Sequence, residues 1–186
     1  AVEYHTSHDK LTGLSNRDTF SLQLEKLLEK PATDEEVFAL AYIDIDRFKI
    51  INDTCGHSTA DSMLVEMASI INDFTDKTNY SARIGGDQFG LILRCPTKKE
   101  TIKQINNLHN AFHKKKLKWE EKVFPFDTSI GLTYLDNSSV SVSEVLAEAD
   151  DACLIAKEEG GNKIKIYDKK ANQFQQRRGE MEWVSK

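Results

Sequence analysis

The sequence predicts an α/β fold of ferredoxin-like type, a mixed sheet flanked by helices, and three observations carry that prediction. Residues 37–46 (VFALAYIDID) form a β-rich apolar run ending abruptly in acids, the pattern of a strand buried on both faces. Met63, Leu64, Met67, Ile70, Ile71 and Phe74 then recur at helical spacing, as in an amphipathic helix packed on a sheet. In RIGGDQFGLIL (residues 83–93) two glycines separate apolar runs, a hairpin signal.

The remaining elements follow in chain order. A helix is expected over residues 15–30, ahead of the first strand. YSARI and FGLIL are the hairpin strands. Residues 98–119 carry helical spacing at Ile102, Ile105, Leu108 and Phe112, and FPFDTSIGLTYL (residues 124–135) reads as one strand. Residues 142–158 read as a helix capped by Ser141, with Glu144 as capping-box partner, ended by Gly160 and Gly161. KIKIY (residues 163–167) is a last short strand. The order after the first helix is β-α-β-β-α-β-α-β, and its βαββαβ part is the ferredoxin-like core. The chain shows no internal repeat and no low-complexity segment.

Composition narrows the function classes. The chain has 186 residues, 39% hydrophobic and 30% charged, which suits one domain with a full core. A net charge of -5 offers no general basic field for nucleic acid, so none is expected as partner, and Lys114, Lys115 and Lys116 read as a solvated helix end. No apolar run reaches membrane-spanning length and no signal-peptide pattern opens the chain, so no membrane contact is expected. Cys55, Cys95 and Cys153 are odd in number and widely spaced, which suggests reduced thiols and a cytoplasmic location. Met181 and Val184 sit at helical spacing near the end, as in a helix that continues, so the chain reads as a domain of a longer protein.

Chemistry concentrates at the end of the first strand. Asp44 and Asp46 lie two apart and share a strand face. Burying carboxylates is costly without a compensating cation, and a hard divalent metal with oxygen ligands supplies one. The competing reading is that both acids solvate the strand end or bond turn amides. Backbone amides of residues 46–51 can cradle phosphate, with Lys49 adding a point charge. Lys157, taken alone, is a helix C-terminal charge. His57 reads as a helix-entry residue, His109 and His113 as a solvated helix face, and Trp119 and Trp183 as packing or linker residues.

DKLTGLSNRDTF (9–20), YIDIDRFKIINDTCGHSTAD (42–61), RIGGDQF (83–89), SIG (129–131) and ADDACLIAKEEGGNKIKIYD (149–168) together resemble the ordered blocks of GGDEF domains, the diguanylate cyclases and their relatives. The resemblance implies the palm-like nucleotidyl-cyclase version of the fold. It implies a GGDEF domain over residues 1–172, with a lead-in helix and turn at 1–16. RRGEMEWV (177–184) resembles the linker toward a following EAL phosphodiesterase domain, so 173–186 is expected to be a linker helix. Sensory and EAL-type domains are then the expected neighbours in the full-length protein.

The implied activity condenses two GTP molecules into cyclic di-GMP with Mg²⁺ or Mn²⁺, in a homodimer because each domain holds one GTP. By the same resemblance Asp44, the Ile45 carbonyl and Asp87 hold metal. Arg47, Phe48 and Lys49 bind the terminal phosphates, Asn52 and Asp61 read guanine, and Lys157 reaches the triphosphate.

The sequence departs from the family at identifiable places. Gln88 stands where the family has its second acid, and an amide can neither act as general base nor add charge to a metal site. Gly161 stands where an arginine is common, implying a lost phosphate contact, and Ala60 replaces a glycine. Residues 76–79 (DKTN) replace the RxxD of the inhibitory product site, implying no feedback through it. These departures favour a domain that retains GTP with weak or no cyclase activity. An active cyclase is the alternative, and a bare dimerisation scaffold ranks last.

Overall fold

The computed structural model describes residues 6–30, 33–75, 79–136, 139 and 141–169. Its elements run α1 (Arg17–Leu28), β1 (Val37–Ile45), α2 (Phe48–Cys55), α3 (His57–Phe74), β2 (Tyr80–Arg83), β3 (Gln88–Cys95), α4 (Lys98–Lys114), β4 (Lys116–Trp119), β5 (Lys122–Pro125), β6 (Thr128–Leu135), α5 (Val142–Glu158) and β7 (Ile164–Ile166). The expected linker helix and most of the DKTN stretch lie outside the described residues.

Five strands form one mixed sheet in the order β2-β3-β1-β6-β7. β1 pairs antiparallel with both β3 and β6, and β7 joins β6 in parallel. The first four strands keep the ferredoxin-like order predicted from the sequence. Placing β1 at the centre explains why its last seven residues are all buried. Alternation along β1 then sorts side chains between two cores. Ala39, Ala41, Ile43 and Ile45 meet α3 and α4 through Met63, Met67, Ile105 and Phe112. Leu40 and Tyr42 meet α1 and α5 through Phe20, Leu24, Val145 and Cys153.

Local signals account for the element ends. Ser141 caps α5 by accepting from the Glu144 amide, as expected, and Asn16 caps α1 by accepting from the Thr19 amide. Gly160 and Gly161 follow α5 with φ of 113° and 76°.

Two expectations are corrected. The helix expected to reach Trp119 stops at Lys114, and KLKW instead pairs with KVFP as a separate hairpin, β4–β5. Leu117 and Phe124 pack on the core from that hairpin, so alternating rather than helical spacing wins there. The strand expected over residues 124–135 is consequently divided at Phe126 and Asp127. The segment after β1, expected to offer backbone amides to phosphate, contains the eight-residue helix α2; it has no side-chain cap hydrogen bond, and its N-cap Arg47 lies in the left-handed region, φ 57°.

Candidate functional site

Three segments meet at the carboxyl end of β1: the strand end itself, the turn between β2 and β3, and the last turns of α5. Gly131 on β6 makes the third approach possible. A Cβ there would stand 1.9 Å from the Ala149 carbonyl oxygen and 2.4 Å from the Cys153 nitrogen, so α5 lies directly on the strand. The Cys153 thiol donates to the Ser129 carbonyl at 3.2 Å. One helical turn further, Lys157 Nζ reaches Asp44 Oδ2 at 2.8 Å.

Asp44 is 7% exposed, flanked by Gln88 on β3 and Ser129 on β6. Gln88 Nε2 donates to Asp44 Oδ2 at 3.4 Å, and the Tyr42 hydroxyl donates to Gln88 Oε1 at 2.7 Å. Asp44 Oδ1 is buried with no hydrogen-bond partner. Burial raises the Asp44 pKa to about 6; Lys157 opposes the rise and the neighbouring Asp87 carboxyl adds to it. Burial works against the Lys157 charge, yet the hydrogen bond and charge of Asp44 outweigh it and its pKa also rises. The pair is thus asymmetric: the lysine behaves as an ion-pair partner, while burial and Asp87 dominate the acid. Burial, with Asp150 and Asp44 nearby, pushes Tyr42 up to about 12, so its hydroxyl stays a donor at neutral pH.

Asp46 has a different fate. Its Oδ1 accepts from the Ser129 hydroxyl at 2.7 Å and its Oδ2 from the Asn162 amide at 2.6 Å. For this acid the turn-bonding reading holds, and it fastens β1 to the loop after α5.

The β2–β3 turn is held by Arg83, which was not singled out from the sequence. Its Nη2 donates to the Gly86 carbonyl at 2.8 Å, its Nε to the Gly85 carbonyl at 3.2 Å, and its Nη1 lies 3.3 Å from Asp9 Oδ1. The lead-in around Asp9 thereby braces the turn, and the Ile45 amide donates to the Asp87 carbonyl at 3.3 Å. Position in the motif flank was the available signal for Arg83; period-two placement before Asp44 was the signal for Tyr42.

The other expected residues occupy the neighbouring helices. Arg47 and Lys49 are exposed and Phe48 packs on the core at the start of α2. Asn52 on α2 is half-buried and its Oδ1 is buried without a partner; Asp61 on α3 is exposed. His57 begins α3, as expected. His113 is not merely solvated: its Nδ1 pairs with Asp127 Oδ1 at 2.9 Å, while His109 Nε2 is buried without a partner.

Two adjacent acids with an unpartnered carboxylate oxygen fit a hard divalent cation. Among the described residues no group of three His, Cys, Asp or Glu stands ready for a metal. Such a partial shell suits Mg²⁺, which retains waters and takes substrate phosphate oxygens.

Known proteins resemble this chain in sequence and in fold. A family model described as "Diguanylate cyclase, GGDEF domain" matches residues 6–163. The probable diguanylate cyclase DgcE of Escherichia coli is 35% identical over 170 residues, 90% of this chain and 15% of that protein. The cyclic di-GMP phosphodiesterase PdeB of Shewanella oneidensis is 31% identical over 183 residues, 98% of this chain and 21% of that protein. The chain therefore spans about a fifth or less of those relatives' lengths. The GGDEF domain of DgcB from Caulobacter crescentus, solved in complex with c-di-GMP, superposes with a TM-score of 0.77 at 26% identity, covering 87% of this chain and 95% of that one.

Proposed function

This chain belongs to the GGDEF family as the GGDEF domain of a cyclic di-GMP signalling protein, and from that premise we propose that it binds GTP and a divalent cation but condenses GTP weakly or not at all. One observation carries the reading: Gln88 is neutral and both ends of its amide are engaged, by Tyr42 and by Asp44. An amide so placed takes no proton from an attacking hydroxyl, and losing a positioned base typically costs about 10²–10⁴-fold in rate.

In this reading Asp44, Asp87 and the Ile45 carbonyl hold Mg²⁺ or Mn²⁺. The bound cation supplies charge neutralisation at the phosphates. Backbone amides of Arg47, Phe48 and Lys49 orient the terminal phosphates. Asn52 and Asp61 hydrogen-bond the guanine edge; the unpartnered Asn52 Oδ1 supports that role. Lys157, beside Asp44 at 2.8 Å, supplies positive charge toward the triphosphate from that position. Condensation needs a 3′-hydroxyl from a second GTP, hence two facing domains.

The regulatory role is to bias neighbouring domains on the cytoplasmic side, where GTP is found. The match to a phosphodiesterase across 98% of this chain supports an EAL-type neighbour, with a sensory domain elsewhere in the full-length protein.

Incubation with GTP and Mg²⁺ or Mn²⁺ at high protein concentration, beside a Gln88→Glu variant, tests the proposal. The expected result is GTP binding by calorimetry, little cyclic di-GMP from the natural chain, and a gain of product in the variant. The 35% identity to DgcE favours the active alternative, and robust turnover by the natural chain would establish it. Absence of GTP binding would sink both.

A further inference from the structure

The Gln88 side chain is held on three sides. The Tyr42 hydroxyl donates to Oε1 at 2.7 Å and Nε2 donates to Asp44 Oδ2 at 3.4 Å. Across the turn, a Cβ on Gly85 would come within 2.7 Å of Oε1, so the turn backbone closes over the amide oxygen. The carboxylate only accepts, so its contact sets the orientation, and the tyrosine hydroxyl holds it by donating to the amide oxygen. The nitrogen faces the acid, and the oxygen, the only atom of the amide able to ligate a cation, points away.

Asp44 is divided in the same way. Oδ2 carries Lys157 at 2.8 Å and the Gln88 amide, while Oδ1 is buried and unpartnered. Positive charge already occupies one side of the carboxylate. Only the other oxygen is without a donor.

We propose that Tyr42 is a positioning residue that turns the Gln88 amide nitrogen onto Asp44, and that this restricts the acid pair of each chain to a single divalent cation at the Asp44 Oδ1 side. The inference rests on the reading that Asp44 and Asp87 hold a metal. It goes beyond that reading by setting the number of ions and by naming the residue that sets it. Lys157 supplies the remaining positive charge on the Oδ2 side.

The test is Mn²⁺ titration of the nucleotide-free domain, following loss of the free-ion electron paramagnetic resonance signal. One bound Mn²⁺ per chain is expected, removed by Asp44→Asn. Gln88→Glu is expected to add a second ion, because a carboxylate presents oxygen whichever way it turns. Tyr42→Phe releases the amide to offer its oxygen, and is expected to tighten Mn²⁺ by about tenfold, the lower end of outer-shell effects on metal sites. In a Gln88→Met background the same Tyr42→Phe change is expected to do nothing, which a general packing role for Tyr42 would not produce. Two ions bound by the natural chain, or an equal Tyr42→Phe effect in both backgrounds, would overturn this inference and leave the metal reading intact. No Mn²⁺ bound at all would overturn both. Circular dichroism on each variant confirms folding; should Tyr42→Phe not fold, Gln88→Met beside Gln88→Glu still decides the ion count.

Discussion

Asp44 on β1 and Asp46 in the turn just past its end stand two residues apart, and the protein treats them in opposite ways. Asp46 has each carboxylate oxygen satisfied by a neutral donor, from Ser129 and from the Asn162 backbone. Asp44 is buried with one oxygen shared between Lys157 and Gln88 and the other without a donor, and Asp87 beside it raises its pKa further. One acid is a fastening; the other is kept at a disadvantage that a ligand can relieve. Clustered like charges in a buried position are the usual mark of a binding or catalytic site.

Asp46 carries the largest expected effect. Replacing it by alanine removes two hydrogen bonds to a charged group, each worth about 1.5–3 kcal/mol. A net loss of about 3 kcal/mol is expected, or roughly 6–12 °C in melting temperature for a chain of this size. A shift below 1 °C would show that the loop after α5 does not depend on this acid.

At Asp44 the sign reverses. Its pKa is about 6 in the folded protein against 3.8 for the ordinary group. Between those values the folded state holds more protons than the unfolded one, so the acid's contribution is fully present below the lower value and declines as pH rises through the upper one. Asp44→Asn is therefore expected to stabilise the metal-free domain above pH 6 by up to about 3 kcal/mol and to change little near pH 4. Urea unfolding in chelator at both pH values checks this. Destabilisation above pH 6 would mean that the Lys157 bond outweighs burial.

The smallest effect sharpens the Asp46 side. Gly161 has φ 76°, and a Cβ there would lie 2.8 Å from Asp46 Oδ2. Gly161→Ala is expected to cost about 1–2 kcal/mol. In an Asp46→Ala background only the backbone part of that cost remains. The same cost in both backgrounds, measured by chemical denaturation, would remove the contact as its cause. The glycine thus has a structural use here.

Much of the fold was legible in local patterns. β1, α3, the β2–β3 hairpin and the Ser141-capped α5 each carry their own periodicity or cap, and each formed where that signal stood. α2 was not legible because eight residues with adjacent Ile50 and Ile51 and an uncapped start look like a turn. The β4–β5 hairpin was hidden because KLKW and KVFP are short, and their pairing depends on a partner strand rather than on internal spacing.

The sequence by itself determined most of the secondary elements, the ferredoxin-like order, the GGDQF turn and the presence of two acids two residues apart at the end of β1. Only the tertiary structure decided which acid binds the scaffold and which is left for the site. The donors that separate them come from Ser129, Lys157 and Asn162, more than eighty residues away, and are delivered by the close approach of α5 to Gly131. Period-two spacing tells which way a side chain points. It carries no information about the hydrogen-bond partners that arrive from remote parts of the chain, and those partners set the difference between Asp46 and Asp44.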